Sequence, residues 1–208
     1  MDKNYWENYY KSTPVGEKPS LFAQFVLDNY LKSGESLIEL GCGNGRDGIF
    51  FSENGLNVLA VDQCTEEIEA LQDKSGKENL KFLSSDFTQL DHENIFDNIY
   101  SRFTLHSISE EQENRVIDWS YKSLNKGGHF FIEARGHKNE IYKLGEKVQG
   151  EEHAYIYNNH YRRFVNKEDL VTKLRTTGFE LIFEAEEKGF APYENTDYTF
   201  MRVIALKK

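Results

Sequence analysis

The chain is poor in the features that would tie it to a membrane, a disulfide framework or nucleic acid. Only two cysteines occur, Cys42 and Cys64. Their spacing is not that of a metal site, and Cys42 falls inside a glycine-rich turn, so both read as small buried residues of a reducing compartment. No apolar run approaches the length of a membrane span, and Met-Asp-Lys-Asn-Tyr-Trp at the start has no apolar core of signal-peptide length. The expectation is a cytoplasmic protein with no membrane partner. An excess of positive charge is also missing. Against 35 Asp+Glu stand 25 Lys+Arg, a formal net charge of -10, which argues against a nucleic-acid partner while leaving room for a local basic pocket. Repeats, low-complexity segments and linkers are absent as well, and 208 residues are most economically one domain, 1–208, with a substantial core.

What is present is organised around Leu37-Ile-Glu-Leu-Gly-Cys-Gly-Asn-Gly-Arg-Asp47. An apolar strand closes on an acid, turns through glycine at every second position, and opens a helix. Gly41, Gly43 and Gly45 allow a sharp turn and close approach of a ligand, and helix N-terminal amides follow. A dinucleotide fingerprint wants its third glycine one residue later, where this chain has Arg46. Glu39 would repel a pyrophosphate but suits a ligand with a cationic amino group. Asp62, 21 residues after Gly41 at the end of Val58-Leu-Ala-Val61, stands where an acid accepts ribose hydroxyls.

Around this turn, strands and helices alternate. The pattern predicts a helix after Ser20 ending at Ser33-Gly34, strand 36–40, helix 45–54, strand 57–61, helix 65–73, strand 80–84, strand 97–103, helix 110–124 closed by Lys126-Gly-Gly128, and strand 129–134. Helix 167–177 and strands 179–185 and 198–206 follow. Such repeats specify an α/β fold, a parallel sheet with helices on both faces and ligands at the carboxyl ends of its strands. Residues 4–11 carry aromatics at 5, 6, 9 and 10 on one helical face. They form either a packed helix or, within a helical flap of residues 1–33, a cover over the site contributed by Tyr5, Tyr9 or Tyr10, with Tyr9 the candidate to bind the acceptor. Between 136 and 166 no period is evident, and the segment reads as an acceptor-binding insertion.

Glu-Leu-Gly-Cys-Gly-Asn-Gly-Arg-Asp, Val61-Asp62, Ser85-Asp86-Phe87 and Phe103-Thr-Leu-His-Ser107 together resemble the class I S-adenosylmethionine-dependent methyltransferases over roughly residues 35–135. The resemblance implies a Rossmann-like three-layer sandwich whose seven-stranded sheet is mostly parallel with its last strand antiparallel. It implies S-adenosylmethionine as cofactor, and no metal is expected. Glu39, Gly41, Gly43, Asn44 and Gly45 would hold its methionine end, Asp62 the ribose, and Asp86 and Phe87 the adenine, with Gln63 and Ser101 also among the cofactor-binding residues. For Asp86 a turn-capping role is the alternative.

On the acceptor side, Asn-Pro-Pro-Tyr, the signature of many enzymes that methylate planar amino groups, is absent, which points to a small-molecule acceptor. His106 is the candidate general base, since an unshifted imidazole titrates near operating pH; the alternative is a histidine that merely closes the cofactor pocket. Arg102, Arg135, His160, Tyr161, Arg162 and Arg163 are candidates to bind the acceptor. Singly they read as salt-bridged surface, but together they suggest a pocket for a phosphate or carboxylate. The expected reaction is O-methylation of an anionic metabolite or sugar intermediate. Parts of the chain are also similar to a subgroup associated with capsule and cell-surface sugars, and the glycine turn to tellurite-resistance and thiopurine methyltransferases, which act on chalcogens or thiols. A non-catalytic sensor or scaffold that binds the cofactor is the rival from another class.

Overall fold

The structure, a computed structural model, describes residues 5–7, 18–91 and 95–208, the side chains of 73–75 excepted. Seven strands form the central sheet: β1 (Ser36–Leu40), β2 (Asn57–Asp62), β3 (Leu80–Ser84), β4 (Phe96–Arg102), β5 (Leu124–Ala134), β9 (Phe179–Glu187) and β10 (Phe200–Lys207), in the order β3-β2-β1-β4-β5-β10-β9. Pairings from β3 to β5 are parallel. β10 runs antiparallel to both its neighbours, so the sheet has the expected arrangement, with the last strand reversed.

Alternate residues of each strand enter opposite cores because successive side chains point to opposite faces. Leu37, Tyr100, Phe131 and Ile204 pack with Phe22, Phe51 and Ile68 from helices α1 (Leu21–Asn29), α2 (Arg46–Glu53) and α3 (Thr65–Ser75). Ile38, Ile99, Phe130 and Val203 pack on the other side with Val116 and Ile117 of α4 (Glu110–Ser123) and Leu170 and Leu174 of α5 (Lys167–Thr177). Local chemistry fixes several helix starts. Ser20 Oγ accepts from Ala23 N, and Ser109 forms a reciprocal capping box with Gln112.

Three elements depart from the expectations. α1 ends at Asn29 rather than near Ser33. α4 passes directly into β5 at Leu124, so Gly127 and Gly128 do not close a helix but lie in a strand irregularity, where Phe96 pairs with Leu124 and Asn98 with His129. The stretch 136–166 is not without structure. It holds a second, three-stranded antiparallel sheet of β6 (Glu146–Lys147), β7 (Ala154–Tyr157) and β8 (His160–Arg163). Its tight hairpin turns on Asn158 and Asn159, both at positive φ (52° and 55°), the conformation that Asn tolerates best among residues with a Cβ. Residues 5–7 are helical; Tyr9 and the rest of the expected aromatic helix lie outside the described residues.

Candidate active site

A cavity of about 550 Å³ opens at the carboxyl ends of β1, β2, β4 and β5, where a parallel sheet leaves its strand-end loops free to meet a ligand. Glu39, Gly41, Cys42, Asn44, Asp62 and Phe87 line one part of it. The turn between β1 and α2 is pinned from below: Gly41 N and Cys42 N donate to Val61 O (2.8 and 2.9 Å), and Gly43 N donates to Asp62 Oδ2 at 2.9 Å. Asp62 Oδ1 accepts from Cys64 N, so the β2-end acid also shapes the loop around it. Gly41 has φ 72°, and a Cβ there would stand 2.4 Å from Thr104 Cγ2, which leaves no other residue for that position.

Glu39 is buried at the end of β1, and its Oε2 has no hydrogen-bond partner among the described residues. Burial above all, then the neighbouring Asp47 charge, pushes its carboxyl well above the usual range. Glu39 lines the cavity, and a buried carboxyl with one oxygen left without a partner is expensive unless a donor arrives. The ammonium of a methionine moiety is such a donor, so the residues present fit S-adenosylmethionine. Gln63 Nε2 is likewise buried without a partner among the described residues. Gly43, Gly45, Gln63, Asp86 and Ser101 do not line the cavity. Asp86 caps the short turn Phe87–Gln89, accepting from Thr88 N and Oγ1, the capping alternative raised by its sequence context. Ser101 is fully buried and bonded to Thr104 Oγ1.

The opposite part of the cavity is lined by Tyr5, Trp6, Arg102, Phe103, His106, Arg135, His160, Arg162 and the 190–200 connection. His106 sits in the turn Leu105–Ser107 after β4 and is buried. Its Nδ1 accepts from Arg135 N at 3.1 Å. Burial first, then the charges of Arg135 and Arg162, drives its basicity well below that of a free histidine. A neutral ring whose Nδ1 accepts must carry its proton on Nε2. His106 therefore meets the cavity as a hydrogen-bond donor, and the base role expected of it has no free lone pair to act through.

The candidate arginines divide. Arg102 lines the cavity, but its Nε donates to the buried Glu133 (2.9 Å), which also binds Arg202 (2.7 Å), and its guanidinium lies 4.0 Å from the centre of the Phe103 ring. Along β8 the strand alternation sorts the rest. His160 and Arg162 face the cavity, while Tyr161 donates to Glu151 (2.6 Å) and Arg163 turns to Glu113 and to the carbonyls of Leu105 and Ile108 (3.0 Å each). Arg163 is thus a buried structural ion, not a pocket residue. Arg135 donates to Asn139 Oδ1 (3.1 Å) and stacks over Phe200; Arg162 donates to Tyr157 O (2.7 Å). Neither has a carboxylate within ion-pair distance among the described residues. Burial and then the Arg162 charge pull Arg135 down to about 10. His160 stacks on Tyr5 at 3.9 Å.

Asp47, to which the sequence analysis assigns no role, is buried and lines the cavity. The residues of the 190–200 connection were likewise not singled out, since nothing in their order marks them until β9 and β10 bring them over the site.

The model of the tellurite resistance protein TehB family matches residues 1–144, well over half of the chain and every motif of the glycine-turn side. The chain belongs to the TehB family of class I S-adenosylmethionine-dependent methyltransferases. S-adenosylmethionine is accordingly its cofactor. Among curated proteins it is similar to phosphoethanolamine N-methyltransferase 1 of Triticum aestivum, 26% identical over 151 residues, 64% of this chain and 30% of that protein. It is also similar to phosphoethanolamine N-methyltransferase of Plasmodium falciparum, 24% identical over 211 residues, 97% of this chain and 77% of that protein. The chain thus spans about a third of the wheat relative. Two solved structures share the fold. One is Burkholderia thailandensis 1,6-didemethyltoxoflavin-N1-methyltransferase with bound S-adenosylhomocysteine (TM-score 0.73, 20% identity, 99% of this chain and 87% of that one). The other is a TehB-like methyltransferase of Corynebacterium glutamicum (TM-score 0.62, 20% identity, 99% and 95%). None of these relatives is a capsule or surface-sugar enzyme. Among the described residues no helix is long and apolar enough to cross a membrane.

Proposed function

We propose that the chain transfers a methyl group to a small acceptor that carries a phosphate, carboxylate or comparable oxyanion. The observation that carries this reading is the pair Arg135 and Arg162, both lining the cavity and neither neutralised by a carboxylate among the described residues. Two desolvated guanidiniums repel each other, and an anion between them relieves both the repulsion and the lost hydration. His106 Nε2–H adds a neutral donor on the same side. The names of the phosphoethanolamine relatives agree with a phosphate-bearing acceptor, and the family name makes tellurite, another oxyanion, a candidate.

S-adenosylmethionine supplies a methyl on a sulfonium, already activated for in-line displacement. What this chain adds is alignment and exclusion of water by Tyr5, Trp6, Phe103 and the 190–200 connection. For the acceptor atom we favour an amine nitrogen. A hydroxyl, the expectation from the sequence, would call for a base, and His106 donates. An amine in its free form attacks without one.

The test is mass spectrometry of acceptors incubated with the protein and S-adenosylmethionine: amino phosphates, amino carboxylates, sugar phosphates, tellurite and neutral counterparts. A methyl gained on anionic amines, with the acceptor KM raised tenfold or more by Arg135→Ala or Arg162→Ala, is the expected result. Methylation of neutral acceptors only, or an acceptor KM indifferent to both arginines, would sink the anion pocket. Tight cofactor binding with no methylated product would favour a sensor.

A further inference from the structure

Arg135 is aimed by one buried amide. Asn139, four residues on and 3% exposed, sits in a turn that the backbone holds by itself. Its N donates to Gly136 O (3.1 Å), and its O accepts from Tyr142 N (2.9 Å). In the side chain, Oδ1 accepts from Arg135 Nη1 (3.1 Å) and from Ile141 N (3.3 Å). Nδ2 donates to Thr199 O at 2.7 Å. These partners fix which way the amide faces. A carbonyl only accepts, and a guanidinium or backbone amide only donates, so the flipped side chain would lose all three contacts.

The Thr199 contact reaches the connection that covers the cavity. Thr199 stands between Tyr198 and Phe200, which both line the cavity and whose ring centres lie 5.7 and 4.8 Å from the Arg135 guanidinium. Glu140 takes the other polar groups of Thr199, accepting from its N (2.7 Å) and Oγ1 (3.0 Å), and pairs with Lys188 (3.2 Å). Neighbouring side chains thus divide two tasks. The Glu140 carboxylate holds the connection, and the neutral Asn139 amide joins the connection to the arginine. A guanidinium drawn out of water is ordinarily met by a carboxylate. Here an amide oxygen and two rings fix its direction and leave its charge uncancelled.

We propose that Asn139 is a positioning residue that sets the charge of the acceptor: its amide aims Arg135 into the cavity without neutralising it, so that an anionic acceptor is selected over a neutral one. Asn139 does not itself line the cavity and acts through Arg135. The inference rests on the anion pocket formed with Arg162 and names what keeps that pocket positive. Exchange of the amide for a carboxylate would convert an open cation into a closed ion pair with almost no change of shape.

Inorganic phosphate, titrated by calorimetry into the protein saturated with S-adenosylhomocysteine, probes the pocket directly. Arg135→Ala should raise the phosphate Kd about tenfold or more. Asn139→Asp should raise it as much, because the new carboxylate pairs with the guanidinium. Asn139→Ala loosens the arginine but leaves its charge, so it should raise the Kd only about threefold. On an Arg135→Ala background it should add nothing. Asn139→Ser serves in the same comparison if Asn139→Ala fails to fold. Affinity for S-adenosylhomocysteine should stay unchanged throughout. With an anionic acceptor from the methylation screen, Asn139→Asp should raise KM far more than it lowers kcat. A role in structure alone would weaken phosphate and S-adenosylhomocysteine together, and on either background, which would overturn the proposal. So would a phosphate Kd that Arg135→Ala raises and Asn139→Asp leaves in place. A wild-type protein that binds no phosphate, or a Kd indifferent to Arg135→Ala, would sink the anion pocket itself, and the role of Asn139 with it.

Discussion

Adjacent arginines on β8 should respond to mutation in opposite ways. Arg163 is 6% exposed and Glu113 1% exposed. The Arg163 guanidinium binds the Glu113 carboxylate and the carbonyls of Leu105 and Ile108, and Lys173 Nζ reaches the same carboxylate at 2.9 Å. Arg163→Ala would strip one cation from a buried pair and leave two carbonyls without a donor. Removing one partner of such a pair costs about 3–5 kcal/mol. The remaining Lys173 contact places the expected loss toward the lower end. With about 2–4 °C per kcal/mol for a chain of this size, the melting midpoint should fall by about 10 °C. Arg162→Ala removes a cavity-lining side chain that donates to the carbonyls of Tyr157 (2.7 Å) and, more weakly, His160 (3.5 Å), and should cost about 1 kcal/mol, with its effect falling on acceptor KM. Urea or thermal unfolding followed by circular dichroism, alongside acceptor KM at a temperature where both variants are folded, separates the two. An Arg163→Ala protein of unchanged midpoint and raised acceptor KM would refute the assignment of the β8 faces, and with it the pairing of Arg162 with Arg135.

Two further outcomes follow from single positions. Gly41→Ala should raise the cofactor Kd by at least about tenfold, since the Cβ both strains φ 72° and meets Thr104 Cγ2 at 2.4 Å; equilibrium binding of S-adenosylhomocysteine checks it, and an unchanged Kd would show that the turn relaxes freely. His106 is held neutral in the folded protein, so the unfolded chain takes up its proton first as pH falls below about 6.5. Stability should therefore decline below that pH, and His106→Gln should flatten the decline; a pH-stability curve identical in the two proteins would contradict the burial argument.

Part of this architecture is local in origin and could be read in order along the chain. Leu37–Leu40 is too short and too apolar for anything but a buried strand, and the Gly-x-Gly-x-Gly turn needs positive φ at Gly41, Gly43 and Gly45, all of which have it. The strand-helix alternation then leaves few topologies other than the parallel sheet observed. The family and cofactor were legible for the same reason, because the glycine turn, Glu39 and Asp62 lie within one strand-turn-helix-strand unit. One hairpin was legible in principle and missed: Ala-Tyr-Ile-Tyr-Asn-Asn-His-Tyr-Arg-Arg alternates around a two-residue Asn-Asn turn, a signal obscured by the polar residues on both of its faces.

The direction in which side chains point was decided elsewhere. The sequence alone established an α/β methyltransferase of the family found, its cofactor turn, and a set of cationic candidates. Only the tertiary structure separated Arg135 and Arg162, which line the cavity with no carboxylate partner among the described residues, from Arg102, which lines it bound to Glu133, and from Arg163, which turns away to Glu113. It also turned His106 from a base into a donor and set Asp47, to which the sequence analysis assigns no role, into the cavity wall. In each case the deciding partner lies far along the chain, 50 residues for Arg163 and Glu113, 29 for His106 and Arg135, and 27 for Asp47 and Ser20. A charge's role depends on which counter-charge, amide or void the fold sets beside it, and that neighbour has no fixed spacing in sequence.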